Sequence, residues 1–361
     1  MKKSFKLYRV ILTILCAAML ATVFGCSQSG GKTQTPQANA PAQTAANAEK
    51  PWKPERPVTV VCWSSAGGGT DLQSRAMAKA LEKEMGVSFQ VVNMTGGGGG
   101  VAANNVFSQK RDGYTILGMS EGVHGIPVLG TFDKTSDAFE LMMVLSSQGV
   151  ISVSADSPYK TIEDLIAAAK SKTLKSSSSQ AGSIWTLKLL QFEKSTGVKF
   201  NHLPYEGSQP SHVAALNGEV DVVVTAFAEQ KEYILAKKLR PLAAIDTEGI
   251  EFPGIDKIPA LADKFPKFKE LPPVMMWVGM GMPSDTPENI KKAYRDAWAK
   301  AVKSKEVEDL AKTTGFKILG YSSSDPKTKE LLKKMDSSFA WTLKEEGLAT
   351  KSPELFNIPK P

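Results

Sequence analysis

Two loops of the chain combine glycine with hydroxyl side chains in a way that suits the binding of an anion without a basic side chain. The first loop, residues 64–71, contains three consecutive glycines between a predicted buried strand and a predicted helix. Its backbone amides and the positive end of the helix can hold a carboxylate. We therefore predict ligand contacts from Ser65, Ala66, Gly68, Thr70 and Asp71.

Two interpretations of this loop differ in the role that they give to Asp71. In the alternative one, the glycines only let the strand and the helix pack tightly, and Asp71 is an acid at the start of a helix. Such an acid contributes about 0.3–1 kcal/mol to stability. If Asp71 serves the ligand, its replacement by alanine is predicted to weaken binding more than stability.

Residues 176–183 repeat the arrangement, because they too follow a predicted strand and open a predicted helix. Serine hydroxyls, an amide and a glycine supply several donors at little steric cost. We predict ligand contacts from Ser179, Gln180, Gly182 and Ser183, and a solvated serine-rich loop is the alternative. Ligands of open α/β sheets bind beyond the carboxyl ends of the strands, so the two loops together favour a cleft between two lobes.

Three further residues are predicted to reach this cleft. Ser120 follows the predicted strand 115–119, and Thr225 lies near the end of the predicted buried strand 220–227. Tyr205, in a turn that leaves another strand, either walls the pocket or is a core residue whose hydroxyl is satisfied. Strand ends that face a cleft are the places where such side chains meet a ligand.

The sequence gives little support for a catalytic motif or a cofactor-binding motif. The three histidines have no metal-ligand spacing, and the glycine run 96–100 lacks the Lys-Ser/Thr of a phosphate-binding loop. No Gly-x-Ser-x-Gly segment occurs. We predict no catalytic residue, no metal and no cofactor, with an exported α/β enzyme acting on a small acid as the alternative.

The elements that would position these loops alternate between short β-branched runs and helical patterns. This alternation predicts an α/β fold with mostly parallel sheets flanked by helices. Apolar runs near 141–153 and 274–282 would be crossovers between two lobes. The first lobe is then residues 56–150 plus 279–361 and the second is 151–278, although two domains in tandem are equally compatible with the pattern.

The first 26 residues predict export and a lipid anchor. Four basic residues precede an uncharged run of about 15 residues that leads to Gly25 and Cys26. This run is shorter than the roughly 20 residues that cross a bilayer, so it indicates a removed signal peptide. The segment resembles those of bacterial lipoproteins, in which the cysteine after a small residue is acylated. An ordinary signal peptide with an incidental Cys26 is the alternative.

The residues after Cys26 and the charge balance limit the remaining possibilities. Residues 27–50 contain no Val, Ile, Leu or aromatic residue, which predicts a disordered tether over residues 27–55. The signal peptide holds four of the 44 basic residues, which leaves 40 against 37 acidic ones, and no basic block is interleaved with aromatics. We predict no nucleic-acid partner, a monomer, and contact with the outer face of the cell membrane only through the lipid.

In their order along the chain, these loops resemble those of the Bug family, the extracytoplasmic solute receptors of tripartite tricarboxylate transporters. The segments that carry the resemblance are 56–58 (RPV), 66–71 (AGGGTD), Asn93 with 96–100 (GGGGG), 111–117 (RDGYTIL), 204–210 (PYEGSQP) and 216–221 (LNGEVD). The chain departs from the family at Ser64 and Ser65, where Pro and Phe are common. It departs again at Thr186 and Leu190, where His and an acidic residue are common.

The resemblance implies a two-lobed periplasmic-binding-protein fold that closes on a small carboxylate in the cleft between the lobes. It implies that backbone donors of the first loop and of the loop ending at Ser183 grip the solute. It also implies delivery to a small and a large membrane subunit. A receptor that serves a membrane sensor instead of a transporter is the remaining alternative.

Overall fold

The computed structural model of this protein describes residues 51–179, 182–205, 207–270 and 274–361. These ranges belong to one unit, Glu49–Pro361. The predicted signal peptide with Cys26, most of the predicted tether, and Gln180 lie outside the described residues. Within the four ranges, no helix is both long and apolar enough to cross a membrane.

Strands and helices alternate along the described chain. The strands are β1 (Val58–Cys62), β2 (Phe89–Asn93), β3 (Thr115–Ser120), β4 (Phe139–Ser146), β5 (Gly149–Ser154), β6 (Leu174–Ser178), β7 (Phe200–Pro204), β8 (Val222–Ala226), β9 (Leu239–Ala244), β10 (Ile250–Phe252), β11 (Ile255–Ile258), β12 (Val278–Pro283) and β13 (Lys317–Ser322). The helices are α1 (Gly69–Met85), α2 (Gly100–Ser108), α3 (Ile162–Ser171), α4 (Ile184–Thr196), α5 (Ser208–Leu216), α6 (Phe227–Leu235), α7 (Leu261–Lys264), α8 (Glu288–Ala301), α9 (Lys305–Thr314) and α10 (Pro326–Glu345).

Two large sheets organise these elements. The first sheet has six strands in the order β13-β4-β12-β3-β1-β2. The second sheet has five strands in the order β7-β6-β8-β5-β9, and β10 and β11 form a separate antiparallel pair. The chain passes from the first sheet to the second between β4 and β5, and it returns before β12.

The sheets are mixed, which corrects the prediction of mostly parallel strands. Strand β1 is parallel to β2 and β3, and β6 is parallel to β7 and β8. In contrast, β12 is antiparallel to β3 and β4, and β5 is antiparallel to β8 and β9. A strand that enters from the other sheet begins at the edge where the parallel strands end, so it must run in the opposite direction. Sequence periodicity does not record that direction.

Local sequence explains where the helices near the two loops begin and end. Helices α1 and α4 both end at a glycine in the left-handed conformation, Gly86 with φ 78° and Gly197 with φ 75°. Glycine adopts this conformation without a Cβ penalty and lets the next amide bond back to the last turn. Helix α4 begins at Ser183, whose side chain accepts a hydrogen bond from the Thr186 amide.

The core of each sheet lies in its central strands. All six residues of β12 and all five residues of β8 are buried. Trp277 and Trp298 are among the largest fully buried side chains. Buried apolar strands of this kind fix the sheets as rigid supports, so the loops at their carboxyl ends are held in place.

Candidate ligand-binding site

A cavity of about 220 Å³ lies between the first sheet and the second sheet. On the side of the first sheet, it is lined by the loop before α1, the glycine run before α2 and the residues that follow β3. On the other side, it is lined by the loop before α4 and the first turns of α5 and α6. All these segments follow the carboxyl ends of strands, where open α/β sheets bind their ligands. The cavity is therefore the candidate ligand site.

The structure brings together most of the residues predicted to contact ligand. The cavity lining includes Ser65, Gly68, Thr70, Ser120, Ser179, Gly182 and Ser183. Four other predicted residues lie outside this lining, namely Ala66, Asp71, Tyr205 and Thr225. The two serine and glycine loops thus face one cavity from opposite sheets.

Asp71 is buried beneath the first loop and holds that loop together. Its carboxylate accepts hydrogen bonds from the Gly67 amide at 2.9 Å, from Arg75 Nε at 3.0 Å and from Asn93 Nδ2 at 2.8 Å. Burial alone would raise the pKa of Asp71, but these hydrogen bonds outweigh it and lower the pKa below the ordinary aspartate value. Asp71 therefore acts on the conformation of the loop.

Tyr205 and Thr225 make hydrogen bonds on the second-sheet side, away from the cavity. The Tyr205 hydroxyl donates to Glu219 Oε1 at 2.8 Å, and burial together with this carboxylate raises the pKa of Tyr205 to about 12. Thr225 is fully buried, with its hydroxyl 2.8 Å from His212 Nε2 and 3.1 Å from Gln230 Nε2. Both hydroxyls have partners within the protein.

The glycine run 96–100 lets the backbone lie directly on Trp63, which lines the cavity. Gly99 has φ 108°, and a Cβ placed on it would lie 2.3 Å from a carbon of the Trp63 ring. A Cβ on Gly100 would lie 2.6 Å from the Thr131 carbonyl oxygen. Only glycine fits these positions, because side chains do not tolerate such contacts or that conformation. The glycine run therefore permits a close approach of the backbone at the wall of the cavity.

Four helix N-termini surround the cavity. Residues of the lining lie at the starts of α1, α4, α5 and α6. The first amides of a helix have no partner in their own helix, and they form the positive end of its dipole. The described lining residues include no Lys, Arg or His. The first amides of α6 already bond Gln148, Ser147 and Glu229. The arrangement can therefore bind an anionic or polar group through hydroxyls and through amides at the starts of α1, α4 and α5.

Glu121 is a lining residue that the sequence analysis missed. It follows β3 directly, and its Oε2 accepts a hydrogen bond from the Trp277 amide at 3.3 Å. Burial raises the pKa of Glu121 to about 8, and the carboxylate of Glu229 adds to the rise. Its place immediately after Ser120, at the end of a buried strand, is the sequence signal that could have identified it.

Glu229 is the second missed residue, and it comes from the opposite side of the cavity. It lies in the first turn of α6, and its Oε2 accepts from the Ala226 amide at 3.3 Å. The Ser208 hydroxyl and the Gly69 amide also lie near this carboxyl group and favour its ionised form. Burial raises its pKa above the ordinary glutamate value. Glu229 therefore links the starts of α6, α5 and α1.

A buried histidine near the cavity has a structural partner. His124 Nδ1 lies 2.6 Å from Asp336 Oδ1, and the Trp277 indole donates to His124 Nε2 at 3.4 Å. The Ser136 hydroxyl donates to the same carboxylate and is 2.6 Å from Asp336 Oδ2. This serine bonds the acid and not the imidazole, so the cluster lacks the serine-to-histidine contact of a nucleophilic triad.

Two α/β sheets that face each other across a cavity define the two-lobed periplasmic solute-binding proteins. Residues 73–336 match the family model described as tripartite tricarboxylate transporter family receptor. The chain belongs to this family. The resemblance found in the loops is thereby confirmed.

Two relatives show how far the sequence similarity extends. A UPF0065 protein in the gbd 5' region of Cupriavidus necator is 32% identical over 257 residues, which are 69% of this chain and 75% of that protein. Protein BugT of Bordetella pertussis is 26% identical over 274 residues, 73% of this chain and 81% of that protein. The similarity therefore covers most of the described chain.

Solved structures share the fold. A TctC solute-binding protein from Polaromonas, without ligand, has a TM-score of 0.62 and 26% identity, with 81% of this chain and 99% of that chain covered. MatC from Rhodopseudomonas palustris, solved with bound malate, has a TM-score of 0.70 and 23% identity, with 80% and 99% covered. The malate is a ligand of MatC, and this second likeness shows the fold alone.

Proposed function

We propose that this chain is an exported, lipid-anchored solute receptor that captures a small carboxylate by lobe closure. It delivers this solute to the membrane subunits of a tripartite tricarboxylate-type transporter. The observation that carries the proposal is the cavity lined by four helix N-termini from both sheets, with no basic side chain among its described lining residues. Family membership and the malate of MatC support the choice of a carboxylate.

The lobes of this receptor divide at residues 150/151 and 278/279. Sheet membership supports the division to within two residues, since β5 to β9 form the second sheet from Gly149 onwards while β12, which begins at Val278, and β13 return to the first. The connection between β4 and β5 is only two residues long, Ser147 and Gln148. A short connection and a second crossing before β12 are the features that a hinge between two rigid lobes requires.

Capture proceeds in two steps. The ligand acid first binds to the first lobe. It contacts the loop that contains Ser65, Gly68 and Thr70, and it contacts Ser120 at the end of β3. Closure then adds Gly182 and Ser183 at the start of α4, with Ser179 and Gln180 before them. Only a ligand that contacts both lobes shifts the equilibrium towards the closed form, because it must bind that form more tightly.

The receptor binds its solute and releases it unchanged. The family and the fold are those of solute-binding proteins. Proton NMR of the protein incubated with a bound acid tests this point. New product signals at catalytic amounts of protein would favour the exported enzyme instead.

A thermal-shift screen of the full chain tests the ligand class. The panel contains dicarboxylates, tricarboxylates, aromatic acids and neutral sugars. A ligand at about 100 times its dissociation constant adds about 2.7 kcal/mol to the free energy of unfolding, so a true ligand raises the melting temperature by several degrees. Stabilisation by sugars alone would overturn the carboxylate assignment.

The anchor is tested separately at Cys26. Cells that express the full chain are labelled with radioactive palmitate, and the Cys26→Ser variant is compared with Cys62→Ser, which retains the proposed anchor. We expect label in Cys62→Ser and none in Cys26→Ser. Label in both variants or in neither would contradict the anchor.

The predicted monomer is tested by light scattering of the purified protein.

A further inference from the structure

Two acidic side chains from opposite lobes meet in the cavity. Glu121 follows β3 in the first sheet, and Glu229 lies on α6 after β8 in the second sheet. Glu121 is 7% exposed, and both residues belong to the cavity lining. The Glu229 carboxylate is close enough to Glu121 to raise the pKa of Glu121. The two acids therefore share one cavity between the sheets.

No cation among the described lining residues balances these acids. The basic side chains on the neighbouring helices have other partners. Arg75 of α1 bonds Asp71 and Asn93, and Lys231 of α6 bonds the Thr313 carbonyl and pairs with Glu232. Like charges brought together in a low-dielectric site destabilise the closed form unless one takes up a proton or a cation lies between them.

The ligand acid has limited room beside Glu229. The carboxyl group of Glu229 already lies beside Gly69, the first residue of α1, and a Cβ on Gly69 would lie 3.8 Å from Glu229 Oε1. The first loop and the start of α4, where Gly182 and Ser183 line the cavity, are left for the ligand acid. The site thus presents amide donors to one end of a ligand and two carboxyl acceptors to another.

We propose that the ligand of this receptor carries an ammonium group as well as a carboxylate, and that Glu121 and Glu229 bind this ammonium between them. The inference rests on the proposed solute-binding function and names its substrate class as amino acids. The ammonium relieves the repulsion of the two acids, so it couples ligand binding to lobe closure. A polyanion without an amine leaves that repulsion in place and binds weakly.

Calorimetric titration of the full chain with matched acids tests the proposal. Propionate, succinate and glutarate are each compared with the 2-amino analogue, which is alanine, aspartate or glutamate. We expect the best amino analogue to bind about tenfold or more tightly than its plain acid, since charge-assisted hydrogen bonds are the strong ones. The variants E121Q and E229Q should each reduce this ratio severalfold.

The control is E232Q, which removes an exposed carboxylate from the same helix as Glu229 and should keep the wild-type ratio. Equal affinity of wild-type protein for the plain and amino acids would overturn the inference while the solute-binding function stands. An unchanged ratio in both E121Q and E229Q would overturn it too. Failure of every acid to bind would remove the proposed function as well. The wild-type comparison decides the matter even if a variant fails to fold.

Discussion

The Asp71 carboxylate accepts a hydrogen bond from the Gly67 amide at 2.9 Å, four residues earlier in the same loop. This contact fixes the turn that presents Ser65 and Gly68 to the cavity. Arg75 and Asn93 bind the same carboxylate, so the loop, α1 and β2 are connected through one buried acid. The sequence predicts Asp71 as a ligand contact or as a simple acid at the start of a helix, and the structure gives it a third role.

Asp71→Ala should therefore reduce stability and ligand affinity together. Removal of the carboxylate leaves the Gly67 amide without a partner and removes one hydrogen bond of Asn93, which still bonds the Ser64 carbonyl, and this costs about 1–3 kcal/mol. Urea unfolding and calorimetric titration measure the two effects, and Asp133→Ala, an exposed acid, is the control. A loss of affinity with unchanged stability would instead support a direct ligand contact.

Because its pKa is lowered, Asp71 contributes to the stability of the folded protein in a way that depends on pH. The ionised carboxylate is favoured in the folded state, so its stabilising effect is fully present above the ordinary aspartate pKa of about 3.9. The effect is lost as the pH falls below that value towards the folded-state pKa. The stability difference between wild type and Asp71→Ala should therefore shrink in acid. A constant difference down to pH 2.5 would contradict this account.

Glu121 should make the stability of the ligand-free protein depend on pH with the opposite sign. Its folded-state pKa is about 8 and that of an unfolded glutamate is about 4.3. Between these values the folded protein holds a proton that the unfolded chain releases, so stability falls as the pH rises. Glu229 lines the same cavity from the second sheet. His124 ends the short 3-10 helix Glu121–His124 that Glu121 begins, and its buried partner Asp336 lies on α10.

Glu121→Gln removes this slope, because the amide keeps a hydrogen-bonding oxygen and carries no charge. At pH 8 we expect the variant to gain up to about 3–4 kcal/mol over wild type relative to the difference at pH 5. Urea unfolding across pH 5–8 measures the change, and Glu232→Gln serves as the exposed control. Parallel curves for wild type and Glu121→Gln would show that the carboxyl group is not held protonated.

Gly99→Ala should disturb the wall of the cavity. The new Cβ would lie 2.3 Å from the Trp63 ring at a φ of 108°, so the ring or the loop must move. Overpacking and an unfavourable backbone together cost roughly 2–4 kcal/mol. The matched control is Gly197→Ala, which has φ 75° and no atom within 4 Å of its Cβ. Loss of ligand affinity in Gly99→Ala alone supports the role of the glycine run, and equal effects in both variants would deny it.

Trp63 and Trp185 should report ligand binding by fluorescence. Both line the cavity, Trp63 from the first sheet and Trp185 from the first turn of α4. A ligand that closes the lobes changes the polarity around both rings. We expect a ligand-dependent change in emission that is reduced in Trp63→Phe and in Trp185→Phe but kept in Trp341→Phe. A signal that disappears only in Trp341→Phe would place the conformational change elsewhere.

Much of the architecture follows from local sequence. The helix predicted to follow the first loop is observed as α1 (Gly69–Met85), and Gly86 ends it in the left-handed conformation. Strand β13 (Lys317–Ser322) was not predicted, since it is an exposed edge strand without an apolar face. The direction of β5 and β12 depends on where the chain crosses between sheets, which periodicity does not encode.

The candidate site, like the fold, could be predicted from local sequence only in part. The serine and glycine loops were predicted because strand-to-helix loops have a sequence signature. Glu121 and Glu229 were missed because an acid after a strand or in a first helical turn usually faces solvent, and only the packing of two sheets buries them. Thr225 was predicted as a ligand contact because it lies near the end of a strand. That position does not show on which face of the sheet its hydroxyl lies.

Thr225→Val tests this last point. The variant loses hydrogen bonds to His212 and Gln230, and burial already lowers the pKa of His212 to about 4, so the imidazole cannot compensate by ionising near neutral pH. We expect a loss of about 1–2 kcal/mol in the free energy of unfolding and an unchanged ligand affinity. Ser65→Ala provides the contrast, because Ser65 lines the cavity and is exposed. It should weaken ligand binding with little change in stability. The reverse result, in which Thr225→Val weakens binding and Ser65→Ala does not, would mean that the ligand lies against β8 and not against the first loop.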